Sequence, residues 1–181
     1  MGKTAEKAGA KEMAEKHFTA AKMLQGKGKA EGAEKEFKKA MKLQPENAQY
    51  HFAFGDFLFD KGKQGEAVEE MKLAIKLDPK KALYHFALGG VLSSLGKQKE
   101  AEKECRLAIQ LDDRDAYYHF TLANFLCLNG KFPEAEEEYR KAIKLDPKNV
   151  QFRLNLEEAL MNQGKFAEAK KEGEAAVRLA G

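Results

Sequence analysis

Four histidines, the only ones in the chain, recur at a constant spacing of 34 residues as His17, His51, His85 and His119. Imidazole binds metal ions and exchanges protons near neutral pH, so such a column could form a metal site or a proton relay. Zinc, however, needs about four converging ligands. Equivalent residues of stacked helices, roughly 8–10 Å apart, point in parallel. We therefore interpret the histidines as one packing residue repeated, and we predict no metal and no other cofactor.

A phenylalanine follows each histidine directly, and Leu154 takes the same place after Arg153. Aromatic side chains that recur at this spacing can pack against the next repeat, as core residues do. They can also be exposed and anchor a binding partner, because aromatic residues dominate binding hot spots. The sequence leaves both interpretations open.

Other catalytic patterns are missing from the sequence. It contains no nucleophile elbow and no glycine-rich phosphate loop after a strand. Acidic pairs such as Glu136 and Glu137 fall on the predicted exterior of regular helices. We predict that the protein is not an enzyme.

The spacing of the histidines belongs to a repeat that runs through most of the chain. Shifted by 34 residues, the sequence aligns with itself without a gap, and one glycine and one alanine recur in every copy. The glycines are Gly28, Gly62, Gly96, Gly130 and Gly164, and the alanines are Ala33, Ala67, Ala101, Ala135 and Ala169. We number the positions of each repeat from Ala14, Ala48, Ala82, Ala116 and Val150. A fixed period of this length indicates units that cover one another's apolar faces.

Each repeat is predicted to hold two helices. In the second repeat the first helix ends at Gly62, since glycine adopts the left-handed conformation that closes a helix. The second helix begins near Gly65 and ends at Asp78, because Pro79 disfavours a helical residue before it. Asn47, Asp115 and Asn149 stand where the next first helix needs an N-cap. No strand pattern occurs, so we predict ten helices in five antiparallel pairs.

The composition favours a protein with a mixed, solvated surface. The 181 residues include 32 basic and 29 acidic side chains, and the net charge of +3 does not favour nucleic acid as a partner. No apolar run approaches the roughly 18 residues of a membrane span, and the first residues lack a signal peptide's apolar segment. The two cysteines do not suggest a disulfide framework. We expect a soluble cytoplasmic protein that binds no membrane.

The repeat resembles the tetratricopeptide repeat over residues 14–181. Small residues at position eight (Ala21, Gly55, Gly89, Ala123), alanine at position twenty-seven and proline at position thirty-two (Pro45, Pro79, Pro147) carry the resemblance. It implies an all-α fold, a right-handed α-solenoid of five helix pairs. The predicted domains are a polar extension at 1–13, which we expect to fray, and repeats at 14–47, 48–81, 82–115, 116–149 and 150–181.

The sequence departs from the family pattern at several positions. Position four, commonly tryptophan in the family, holds the histidines and Arg153. Because that position is normally buried, we expect burial to lower the histidine pKa, so that stability falls below about pH 6.5. In the last repeat, Glu157 replaces a small residue and Gly173 replaces a large one. We expect this repeat to be the least stable.

In the family, the concave face of the first helices holds peptide ligands, which implies a set of partner-binding residues here. They are Phe18, Gln49, Phe52, Asp56, Phe59, Leu83, Phe86, Tyr117, Phe120, Asn124 and Leu154. The resemblance implies an adaptor that binds a protein or peptide partner through apolar anchors. The clamp that grips the acidic tails of heat-shock chaperones is not matched, since position five holds Phe or Leu. The alternative is a module that self-assembles into a homo-oligomer through its uncapped C-terminal repeat.

Overall fold

The computed structural model describes the backbone of residues 2–181 and the side chains of residues 8–181. Over these residues it contains ten α-helices and no strand, which confirms the predicted all-α class. The helices are α1 (Gly2–Gly26), α2 (Ala30–Leu43), α3 (Ala48–Asp60), α4 (Gln64–Leu77), α5 (Ala82–Ser94), α6 (Gln98–Leu111), α7 (Ala116–Leu128), α8 (Phe132–Leu145), α9 (Val150–Asn162) and α10 (Phe166–Ala180).

The chain forms two compact units, Met1–Val91 and Leu92–Gly181. In unit 1, α1 packs on α2, α3 packs on α4, and α2 contacts α3. In unit 2, α7 packs on α8 and α9 on α10, while α8 contacts α9 and α6 contacts α7. Each unit is therefore built from helix pairs whose neighbours in sequence are also neighbours in space.

Turns and caps hold the helix ends where the sequence predicts them. The recurring glycine of every repeat has a positive φ, from 71° at Gly28 to 76° at Gly62. Only glycine adopts this conformation without strain. The side chain of Asn47 accepts hydrogen bonds from the backbone N–H groups of Gln49 and Tyr50, as an N-cap does. Asp115 and Asn149 cap α7 and α9 in the same way, so these predictions are confirmed.

The stretch predicted to fray, residues 1–13, is helical in the part that can be described, because α1 begins at Gly2. This stretch is rich in Ala, Glu and Lys, which have high helix propensity. Lys16 also pairs with Glu12 one turn earlier, at 2.6 Å. Met1 and the side chains of residues 2–7 lie outside the described residues.

Close packing between the paired helices depends on small residues. The recurring alanine at position twenty is fully buried in all five repeats. At position eight, Gly55 faces position twenty-four of the same repeat. A Cβ atom there would meet the Met71 side chain at 3.0 Å and the Ala67 carbonyl oxygen at 3.2 Å. Glycine at this position therefore leaves room for a large residue opposite.

The last repeat inverts this arrangement. Glu157 stands at position eight and Gly173 at position twenty-four, and the Glu157 carboxylate occupies the space beside the glycine. A Cβ atom on Gly173 would lie 2.5 Å from Glu157 Oε1. The two departures from the repeat pattern therefore compensate each other sterically, which the sequence analysis treated as two separate defects.

The histidine column forms a link between three segments of the chain. His51 Nδ1 lies 2.7 Å from Glu70 Oε2 on the paired helix, and its Nε2 lies 2.9 Å from the Pro45 carbonyl oxygen in the preceding turn. A carboxylate and a carbonyl only accept hydrogen bonds, so both ring nitrogens donate in the doubly protonated form. We call this arrangement the position-four link.

The same link recurs in other repeats. Its side-chain pairs are His17–Glu36, His51–Glu70 and His119–Glu138, with Arg153–Glu172 in the last repeat. Arg153 also donates to the Pro147 carbonyl oxygen, so a permanent cation makes the two bonds that His51 makes. A positive charge therefore suits this position.

The expectation that burial lowers the histidine pKa is wrong for His51. The hydrogen bond to Glu70 raises the pKa of His51 and outweighs its burial, which acts in the opposite direction. The charged ring is favoured because it can donate to two acceptors at once.

We predict that His51 makes the protein less stable as the pH rises, the opposite of the sequence-based expectation. A raised folded pKa contributes stability that is fully present below the unfolded value near 6.5 and is lost as pH rises through the folded pKa. The denaturant midpoint should fall between pH 6 and pH 8.5. His51→Arg should remove the part of this fall that His51 causes, and His51→Gln should cost about 1–3 kcal/mol at pH 6. An equal pH dependence in wild type and His51→Arg would contradict the assignment.

We also predict that Gly173→Ala has little effect alone and is stabilising beside Glu157→Ala. Alanine is favoured over glycine in a helix by about 0.5–1 kcal/mol, but in the wild type the Glu157 carboxylate must move away from the new methyl group. Chemical denaturation of the two single variants and the double variant measures the coupling. Additive effects would show that the two residues do not share this space.

Candidate partner-binding site

The predicted partner-binding residues all lie on first helices of the repeats. Phe18 is on α1, and Gln49, Phe52, Asp56 and Phe59 are on α3. The others are Leu83 and Phe86 on α5, Tyr117, Phe120 and Asn124 on α7, and Leu154 on α9. Within a helix they are spaced by three, four or seven residues, so they share one face.

Unit 1 contains an open groove of about 1240 Å³ that includes three of these residues. Gln49 and Phe52 contribute from α3, and Leu83 contributes from α5 together with Tyr84. Ala10 and Lys11, from the early part of α1, also line the groove. The sequence analysis missed these two residues because it predicted that the stretch before Ala14 frays.

The phenylalanine column is neither core nor free surface. Phe18, Phe52 and Phe120 are half-buried. Each ring stacks on the aromatic residue at position three of the following repeat, with centroids 4.7 Å apart; the pairs are Phe18–Tyr50, Phe52–Tyr84 and Phe120–Phe152. A ring therefore packs between repeats and still leaves some of its surface accessible.

The sequence analysis missed the partners in these stacks. Position three holds Tyr50, Tyr84, Tyr118 and Phe152, and all four are buried. The signal was present as an aromatic residue in the same place of four consecutive repeats.

Three predicted residues expose large apolar surfaces. Leu83 is 42 % exposed in unit 1, and Tyr117 and Leu154 are 56 % and 41 % exposed in unit 2. The Tyr117 ring meets Phe152 edge-on at 5.4 Å, so it is held in place although it is exposed. Such side chains can add contact area without a large entropic cost, because aromatic rings have few rotatable bonds.

In unit 1 the polar residues of this face come from α1 and α3. Lys22 donates to Gln25, and Gln25 in turn donates to Asp60 at 3.3 Å. Asp56 is half-buried, and burial, with the nearby charge of Asp60, raises the pKa of Asp56 while Lys22 opposes the shift.

In unit 2 the corresponding place holds a network of amides. Tyr139 Oη donates to Asn124 Oδ1 at 2.6 Å, and Asn155 Nδ2 donates to the same oxygen at 3.0 Å. Gln151 donates to Asn155 and completes the chain of bonds. The amide nitrogen of Asn124 bonds to none of the described residues, so it can donate to a ligand.

The cysteines show no sign of activation. Cys105 is buried and donates to the Tyr118 carbonyl oxygen, and burial raises its pKa to about 12. Burial also raises the pKa of Cys127. A nucleophilic cysteine requires a lowered pKa. Among residues 8–181, no three His, Cys, Asp or Glu side chains are grouped so that they could hold a metal ion.

Comparison with protein families identifies the repeat. A model described as "Tetratricopeptide repeat" matches residues 14–47 and 82–115, and one described as "TPR repeat" matches residues 55–96 and 123–164. The chain belongs to the tetratricopeptide repeat family. Tetratricopeptide repeats are generally a non-enzymatic protein-interaction fold.

Solved structures of tetratricopeptide repeat proteins share the fold. A crystal structure of MamA is 24 % identical over 93 % of this chain and 92 % of its own, with a TM-score of 0.85. MamA from Desulfovibrio magneticus RS-1 is 18 % identical over 93 % and 95 %, with a TM-score of 0.84. YrrB, described as a TPR protein with an unusual peptide-binding site, is 20 % identical over 90 % and 84 %, with a TM-score of 0.77.

No curated protein sequence matches this chain significantly. None of the helices that the structure describes has the length and apolar character needed to cross a bilayer.

We predict that Phe120→Ala lowers the free energy of unfolding by about 1–3 kcal/mol. This is less than the roughly 3–5 kcal/mol of a fully buried phenylalanine, because the ring is half-buried. Phe120→Leu should cost less, since Leu154 occupies the same position in the next repeat. Chemical denaturation measures both. A loss within about 0.5 kcal/mol for Phe120→Ala, as at an ordinary surface site, would show that the stack contributes nothing.

Proposed function

We propose that the protein is a non-enzymatic adaptor that binds a peptide or helical segment of a partner protein on the faces formed by the first helices. The observation that carries the proposal is the groove of unit 1, where Phe52, Leu83 and Gln49 line one open space. In unit 2, Tyr117 and Leu154 are exposed on the same kind of face as Asn124. The side-chain nitrogen of Asn124 is available to donate a hydrogen bond, while its oxygen is held by Tyr139. Exposed apolar surface beside fixed polar groups is typical of sites that recognise peptides.

The proposal names a protein segment and neither nucleic acid nor a membrane. The second helices alternate acidic and basic residues, and these charges pair: Glu102 on α6 pairs with Arg106 at 2.9 Å and with Lys131, just before α8, at 3.4 Å. Nucleic-acid binding would require unpaired basic residues on one face.

We further propose a reducing compartment such as the cytoplasm, because Cys105 and Cys127 are both free thiols.

The test is selection from a library of random dodecapeptides displayed on phage. The wild-type chain should enrich peptides with aliphatic or aromatic residues. Leu83→Asp should abolish the enrichment of peptides bound at unit 1. Leu73→Asp is the matched control, because Leu73 is a similarly exposed leucine on the second helix α4, at 36 % against 42 %. No enrichment by the wild type, or equal losses in the two variants, would contradict the proposal.

Self-assembly through the last repeat is a second candidate function. Val177, at position twenty-eight, is 71 % exposed on α10, and Phe166 is 64 % exposed at the start of the same helix. The residues at position twenty-eight of the other repeats, such as Met41 and Ile143, are half-buried. Analytical ultracentrifugation at rising protein concentration tests this function. A molecular mass that grows with concentration in the wild type but not in Val177→Glu supports self-assembly. A constant monomer mass in the wild type rejects it.

A further inference from the structure

Asp56 lies on the same stripe of α3 as two predicted anchors. Phe52 precedes it by four residues and Phe59 follows it by three, so the three side chains are on one face of the helix. All three are half-buried. Phe52 also lines the groove of unit 1, which places Asp56 one helical turn from that groove.

The charge of Asp56 is compensated only in part within the portion of the chain that the structure describes, since Lys22 acts on it from a distance. Among these residues the Asp56 carboxylate accepts no hydrogen bond and forms no ion pair, whereas the neighbouring polar groups are engaged with one another. Lys22 donates to Gln25, and Gln25 donates to Asp60. Burial raises the pKa of Asp56, which means that the charged form is incompletely solvated. A half-buried carboxylate in this state gains free energy when a cation approaches it.

The size and lining of the groove argue for a polypeptide rather than a small ligand. Small-molecule pockets usually measure about 300–1000 Å³ and enclose their ligand, whereas this groove is open and measures about 1240 Å³. Its lining is mixed. Phe52, Leu77, Leu83 and Tyr84 offer apolar surface to the side chains of a peptide, and the charged residues Lys11, Glu46, Asp78 and Lys81 balance one another in sign.

We propose that unit 1 recognises a segment that combines apolar residues with a lysine or arginine, whose cation pairs with Asp56. The apolar side chains of the segment contact Phe52 and Leu83, and the cation lies one turn along α3. This inference rests on the proposed peptide-binding function and adds the charge of the partner. A basic partner is not what the net charge of the chain favours, because a charge of +3 by itself attracts acidic peptides.

The same library selection tests the inference, with Asp56→Asn beside the wild type. Asparagine keeps the shape of the side chain, and Asn124 already occupies the same position of α7. The wild type should enrich peptides that carry Lys or Arg next to apolar residues. Asp56→Asn should keep the apolar preference and lose the basic one. Asp60→Asn is the matched control, because Asp60 already accepts a hydrogen bond from Gln25, and it should retain the basic preference.

A synthetic peptide from that selection measures the size of the effect. Replacing its lysine by norleucine, which removes the charge and keeps the aliphatic chain, should weaken binding to the wild type roughly tenfold and binding to Asp56→Asn very little. Apolar peptides without a basic preference, or with an acidic one, would overturn the inference and leave the proposed function standing. A basic preference that survives Asp56→Asn would also overturn it. Failure to enrich any peptide would instead reject the proposed function itself.

Discussion

The position-four link is the interaction on which the helix pairs depend. A histidine or arginine on the first helix bonds to a glutamate 19 residues later on the second helix and to a carbonyl in the preceding turn, as His51 does with Glu70 and Pro45. Side-chain packing alone allows helices to slide and rotate, whereas two directional bonds from one planar group fix both angle and register. Arg153 makes the equivalent bonds without an imidazole, so charge and geometry matter more than the residue type.

The link also determines where the next side chain lies. The residue after His17, His51 and His119 is a phenylalanine that stacks on the following repeat, as Phe52 stacks on Tyr84 at 4.7 Å. The ring is held by its neighbour on one side and remains partly accessible. A binding surface built from such rings is preorganised, because a ligand does not have to immobilise them. The same contact makes stability and binding hard to separate by mutating phenylalanine, and exposed Leu83 is therefore the better probe of binding.

The sequence predicted the parts of the fold that depend on local chemistry and on the period. The positive φ of Gly62 and the N-cap formed by Asn47 each depend on one residue type at one position of the repeat, so they can be predicted from the sequence. The sign of the His51 pKa shift was wrong because burial can be read from the pattern, whereas the bond to Glu70 depends on a residue in another helix. The compensation between Glu157 and Gly173 was missed for the same reason: the residues are 16 apart, and only packing brings them together.

The repeats differ from one another at a few positions on the faces of the first helices. Position nine holds Asp56, Asn124 and Glu158 on three helices that share an Asn or Asp N-cap and the glycine turn. Because the frame repeats, a change at this position alters the charge offered to a ligand without altering the backbone beneath it. Asn124 is held by Tyr139 and offers a neutral donor, whereas Asp56 offers a carboxylate whose charge Lys22 compensates only in part. The net charge of the chain averages over these differences, so it does not determine what each helix face binds. Under the proposed function, the polar group at position nine and the aromatic ring one turn away set the preference of each helix face together.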